Sequence, residues 1–196
     1  MARYDGTTAL LVVDVQNDFA HPKGSLHVGG GEDVPAVVNA EIVSARDAGA
    51  FVVYSQDWHP ESTPHFQKDG GVWPVHCVGG TWGAAFHTDL DVAEDAVVLR
   101  KGTGGEDGYS VFTVRDPETG ERAPTALERI LREHGVERVV IAGLATDYCV
   151  KDTALDARRL QFPVQVVTDA IRAVNLKEGD GERAVAEMRD AGAELV

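Results

Sequence analysis

The stretch V-V-I-A-G-L-A-T-D-Y-C-V, residues 139–150, decides the fold. It opens on an unbroken apolar run of strand length, led by three β-branched residues, and such a run marks a strand covered on both faces. The run passes through Gly143 and Thr146 into a segment of helical period that extends to about residue 160. A buried strand feeding a helix is half of a βαβ unit, and the same pattern recurs outward in both directions. Apolar runs at 9–13, 51–54, 96–99, 164–167 and 194–196 complete a set of six candidate strands. Between the first two, Val34, Val37, Val38, Ile42 and Ala45 recur at helical spacing before a stop at Gly49. Leu127, Ile130 and Leu131 do the same before Gly135, and a last helix is expected over about 181–191, ended by Gly192. These alternations predict an α/β protein, three layers deep, built on a parallel six-stranded sheet as one domain over 1–196.

Composition bounds the partners. The 196 residues carry 18 basic and 32 acidic side chains, a formal net charge of −14, which argues against nucleic acid. The opening M-A-R-Y-D-G-T-T-A-L lacks the pattern of a signal peptide, and the apolar run that follows is too short to span a bilayer. Two cysteines, Cys77 and Cys149, are too few for a disulfide framework and suit a reducing cytoplasm. The expected partner is a small molecule, with no nucleic acid and no membrane; a homo-oligomer stays open.

Four places could carry chemistry. Residues 57–95 separate the second and third strands with little periodicity, yet hold all three tryptophans and four of the seven histidines. A loop that long and that aromatic reads as a binding loop. Within it, D-W-H at 57–59 sets Asp57 and His59 two apart at a strand end, where both project to one side. With His65 and the W-P-V-H that ends at His76, they could hold iron, zinc or manganese, or could be loop histidines each bonded locally. No H-E-x-x-H or C-x-x-C sharpens the choice.

Asp14, in V-V-D-V-Q-N-D-F, directly follows the first buried run. That is the sheet edge where open α/β proteins bind ligands, although a capping aspartate would sit there too. Lys101 follows the third run and leads into G-T-G-G-E-D-G-Y. A phosphate-cradling loop fails there, because Asp107 stands where a third glycine is needed; a solvated lysine is the plainer alternative. Cys149 follows the candidate N-caps Thr146 and Asp147, which places it in the first turn of a helix, where the backbone dipole lowers a thiol pKa. The alternative is an inert buried thiol. No serine completes G-x-S-x-G, since Phe112 occupies its last position.

Together, V-V-D-V-Q-N-D-F, D-W-H, W-P-V-H-C, K-G and L-A-T-D-Y-C-V resemble, in order and spacing over almost the whole chain, the nicotinamidase/pyrazinamidase branch of the isochorismatase-like cysteine hydrolases. The resemblance implies strand order 3-2-1-4-5-6 and a catalytic triad of Asp14, Lys101 and Cys149. It implies an oxyanion hole from the N–H groups of Ala145 and Cys149, beside a cis Leu144–Ala145 peptide. It also implies one divalent metal (zinc, iron or manganese) on Asp57, His59 and His76, with His65 matching a fourth ligand of some members. Phe19, Trp73 and Tyr109 match positions that wall the substrate ring in relatives; set apart from the resemblance, each reads as a packing residue. The implied reaction is hydrolysis of nicotinamide, and of pyrazinamide, to the acid and ammonia through a Cys149 thioester, in the service of NAD salvage. Two rivals stand beside it: a superfamily amidase acting on carbamoyl or ureido groups, and a non-catalytic metal-binding protein on the same fold.

Overall fold

A computed structural model describes residues 3–196; Met1 and Ala2, part of the domain expected over 1–196 and of the opening segment, lie outside the described residues. Six strands form one parallel sheet: β1 (Thr8–Val13), β2 (Phe51–Asp57), β3 (Val97–Lys101), β6 (Arg138–Leu144), β7 (Val164–Arg172) and β8 (Glu194–Leu195). Their spatial order is β3-β2-β1-β6-β7-β8, which counted over these six strands alone is the expected 3-2-1-4-5-6. A separate antiparallel pair, β4 (Thr113–Arg115) and β5 (Arg122–Pro124), was absent from the sequence expectation. The helices are α1 (Asn17–Ala20), α2 (Val34–Asp47), α3 (Leu127–Glu133), α4 (Lys151–Arg159) and α5 (Asp180–Asp190).

Side chains alternate across a strand, so β1 feeds two cores. Leu10 and Val12 join Val38 and Ile42 of α2 on one face. Leu11 and Val13 join Leu127 and Leu131 of α3, Ala154 of α4 and Met188 of α5 on the other. This two-sided burial is the reason the strands read as continuous apolar runs. It fails at β3, an edge strand whose Val98 and Arg100 are exposed, contrary to the expectation of full burial. β7 runs on to Arg172 through a register shift against β6 between Ile141 and Gly143, and exposed Thr168 and Asp169 conceal that extension in the sequence. Among the described residues no helix is long and apolar enough to cross a membrane.

Register places the functional side chains at one rim. Asp57 pairs with Lys101 at the carboxyl ends of β2 and β3, and Val13, directly before Asp14, pairs with Gly143 near the end of β6. Gly143 has φ 123°, and a Cβ there would collide with the main chain of Val13. We predict that Gly143→Ala destabilises the protein by roughly 2–4 kcal/mol, combining backbone strain with overpacking. The denaturant midpoint checks this, and an unchanged midpoint would contradict the close approach of β1 and β6.

Candidate active site

Lys101 ends β3 with its ammonium 4% exposed, so it must find its charge partners inside the protein. Its Nζ lies 2.8 Å from Asp14 Oδ2, contacts Asp57 Oδ1, and stands 3.5 Å from Cys149 Sγ. A carboxylate oxygen of Asp14, one of Asp57 and the Cys149 sulfur all fall within 4.8 Å of one another. The sequence-predicted acid, amine and thiol therefore converge, and Asp57 joins them.

Each member is held by a neighbour. Asp14 has φ 48°, a left-handed conformation that aspartate tolerates, and this turns its carboxylate to the rim. Ser55 Oγ donates to Asp14 Oδ1 at 2.7 Å, which leaves Oδ2, near Lys101 but without an aligned hydrogen bond, facing the site. Gln16 clamps Asp57 through its main chain: Nε2 donates to the Asp57 carbonyl at 2.8 Å, and Oε1 accepts the Asp57 N–H at 2.8 Å. The Leu144–Ala145 peptide is cis, as the resemblance implied. Extended Ala145 precedes a π-helical turn, Thr146–Val150, that leads into α4. The expected N-caps Thr146 and Asp147 lie inside that turn instead. Asp147 spends its carboxylate on the N–H groups of Val174 and Asn175, at 2.9 and 2.8 Å, while Cys149 still falls in the first turn.

The protonation pattern corrects one expectation. Burial pushes the Cys149 thiol well above its ordinary range; Lys101 pulls it down, but Asp14 and Asp57 push it up again. That direction is opposite to the lowering that its place in the first helical turn suggested. Burial also raises Asp14, in spite of Lys101, which makes that carboxylate a better proton acceptor. For Asp57 burial acts the same way, but the Lys101 ammonium and the nearby His59 and His76 rings prevail and hold it ionised. Burial would lower Lys101; Asp14 and Asp57 outweigh it and keep the ammonium charged.

Beside this group, one ring nitrogen each from His59, His65 and His76 lies within 4.8 Å of the others, all three residues being buried. The long loop brings them together by cross-ties. His59 N–H donates to the Cys77 carbonyl at 2.9 Å, and Asp18 Oδ2 accepts the Cys77 N–H at 2.7 Å, setting His76 beside His59. Asp57 Oδ2 lies 3.8 Å from His59 Nε2 and 4.0 Å from His76 Nε2. His76 Nδ1 donates to the Pro74 carbonyl at 2.7 Å, and burial above all lowers its pKa to about 4, so a neutral Nε2 is available. Both nitrogens of His59 are buried without a hydrogen-bond partner. Orphaned imidazole nitrogens among three histidines and an ionised carboxylate fit a divalent metal ion. His65, the open assignment of the sequence, lies within the cluster.

Between the sulfur and the imidazoles lies a small cavity. Phe19, Trp73 and Tyr109 line it as expected, together with Leu26, Tyr148 and Val174, which sequence reasoning missed. Trp73 Nε1 donates to Tyr109 Oη at 3.0 Å, and Tyr148 packs edge-on against both rings, at 4.8 and 5.0 Å. Tyr148 had one signal, its place next to Cys149; Leu26 and Val174 had none.

A parallel sheet that gathers an acid, a lysine and a cysteine at its carboxyl rim, beside a histidine cluster able to hold a metal, is the arrangement of an α/β hydrolase. The chain belongs to the isochorismatase family, whose domain model matches residues 8–196. It is 39% identical to the nicotinamidase of Escherichia coli, over 95% of this chain and 93% of that protein. The pyrazinamidase of Pyrococcus horikoshii, solved in complex with zinc, superposes with TM-score 0.86 at 42% identity, covering 97% of this chain and 98% of that one. PnC1 from L. infantum, solved in complex with nicotinate, superposes with TM-score 0.89 at 37% identity, covering 100% and 95%.

We predict that Asp57→Ala and His76→Ala each reduce bound zinc below one equivalent, as measured by elemental analysis of protein dialysed against the metal. A full equivalent retained by both variants would show that the ion binds elsewhere.

Proposed function

We propose that this chain is an amidohydrolase that converts nicotinamide to nicotinate and ammonia, acts on pyrazinamide as well, and uses Cys149 as nucleophile. The observation that carries the reading is the Cys149 sulfur, 3.5 Å from a buried ammonium, lining an aromatic cavity that the histidine cluster closes on the other side. The nicotinamidases and pyrazinamidases among its relatives support the substrate.

The steps follow from the protonation pattern. Asp14 Oδ2, the oxygen left free by Ser55, takes the proton of the Cys149 thiol as the sulfur adds to the carboxamide carbon. Lys101 keeps the developing thiolate close to a positive charge. The N–H groups of Ala145 and Cys149 donate to the oxyanion. Asp14 then gives its proton to the amide nitrogen, the C–N bond breaks, ammonia leaves, and the acyl group stays on sulfur as a thioester. Asp14 next removes a proton from water, the hydroxide oxygen bonds to the acyl carbon, and the departing sulfur recovers that proton as nicotinic acid leaves and gives its carboxyl proton to solvent to become nicotinate.

Asp57, His59, His65 and His76 would hold the metal, and zinc, iron or manganese would each supply a Lewis-acidic point for the ring nitrogen. The protein orients the ring: Phe19, Trp73 and Tyr109 present flat apolar faces, so the carboxamide reaches Cys149 in one pose. Those aromatic walls favour a planar heterocycle over an aliphatic carbamoyl or ureido compound. We further assign residues 1–196 to one domain acting in the cytoplasm, consistent with two free thiols.

We predict that Cys149→Ala lowers ammonia release from nicotinamide by at least about 10³-fold while leaving zinc content at the wild-type level. Substantial turnover by that variant would remove cysteine from the mechanism. In a panel of amides, nicotinamide and pyrazinamide should be hydrolysed faster than ureido compounds; the reverse order would favour the carbamoyl-amidase alternative.

A further inference from the structure

The proposed mechanism gives no task to Asp107, which lies in the glycine-rich stretch that leads from Lys101 to Tyr109. Its carboxylate is fully engaged. Oδ1 lies 3.0 Å from His65 Nδ1, an ion-pair distance, and accepts from the Gly108 N–H at 2.7 Å, and Oδ2 accepts from Arg115 Nη2 at 2.5 Å. Main-chain hydrogen bonds to Arg115 in both directions, at 2.7 and 2.5 Å, fix the residue in place.

A carboxylate 3.0 Å from Nδ1 favours the imidazole proton on that nitrogen, which leaves the lone pair on Nε2. The other two histidines are held differently: His76 donates to a neutral carbonyl, and His59 has no hydrogen-bond partner on either nitrogen. A charged acceptor also makes the imidazole a stronger donor to a cation on its other side. The same residue reaches the aromatic wall. Asp107 stands two positions before Tyr109, Tyr109 Oη accepts from Trp73 Nε1, and the Trp73 main-chain N–H donates to the His65 carbonyl at 3.3 Å. His65, Asp107, Tyr109 and Trp73 thus form a closed circuit.

We propose that Asp107 is a positioning residue that commits His65 to the metal through Nε2. The inference rests on the reading of His65 as a ligand under the proposed function. Asp107 touches neither metal nor substrate and acts through His65 alone.

The test is zinc affinity of the full chain, measured by competition with a chromophoric chelator for the wild type, Asp107→Ala, Asp107→Asn, His65→Ala and the Asp107→Ala/His65→Ala double variant. Removing the orienting carboxylate should weaken zinc binding about 10- to 100-fold, the usual cost of losing such a partner. Asp107→Asn, which keeps an acceptor oxygen, should recover most of it. In the His65→Ala background the same Asp107→Ala change should cost less than about twofold, because its route to the metal is gone. Asp107→Ser, too short to reach His65, serves where Asp107→Ala does not fold. Zinc affinity within about twofold of wild type in Asp107→Ala or Asp107→Ser, or an equal loss with and without His65, would overturn the proposal. If His65→Ala weakens binding and Asp107→Ala does not, this inference falls and the ligand set survives; if neither does, His65 leaves the ligand set as well.

Discussion

One buried ammonium organises this protein's rim. Removing a lysine from water costs several kcal/mol unless opposite charges replace its hydration, and Lys101 meets the carboxylates of both Asp14 and Asp57. Those acids end or follow two different strands, so satisfying one lysine ties β1, β2 and β3 together at their carboxyl edge. Cys149, delivered by the turn after β6, meets the same charge from the other side. The parallel register, with Asp57 opposite Lys101, makes this convergence possible without a long loop.

Asp57 divides its two oxygens between the site's halves. Oδ1 serves Lys101, and Oδ2 faces His59 and His76. Gln16 fixes the main chain of the residue that does both. This sharing brings the proposed nucleophile and the proposed metal ligands to two walls of one small cavity, and a flat ring with a carboxamide at one end and a nitrogen at the other matches that spacing of functions.

Much of this was legible in the sequence, for a physical reason. Strands covered on both faces leave unbroken apolar runs, and a residue that follows such a run, as Asp14 does, lies at the rim; Lys101, two residues past the apolar run of the edge strand β3, lies there too. What escaped notice lacked that two-sided burial. The exposed side of β3, which was read as a strand but as a fully covered one, the short and largely exposed β4–β5 pair, and the continuation of β7 through polar residues past a register shift all went unread. Supporting residues were also silent: Ser55 and Gln16 act through hydrogen bonds to partners distant in sequence, which no local spacing encodes. The direction of the Cys149 pKa shift was misread because helix position was weighed without burial and without the carboxylates of Asp14 and Asp57.

The aromatic loop gave its histidines away by composition, while their convergence depends on cross-ties such as Asp18 to Cys77 that only the folded chain displays. The most direct measurement of the central claim is the rate of Cys149 alkylation by iodoacetamide at neutral pH, in the wild type and in Lys101→Met, with zinc content matched. Loss of the ammonium removes the charge that favours the thiolate and lets a proton settle on the neighbouring carboxylates, so alkylation should slow by at least about tenfold, the equivalent of one pKa unit. Equal rates in the two proteins would mean that the lysine does not govern the sulfur, and the account given for this rim would be wrong.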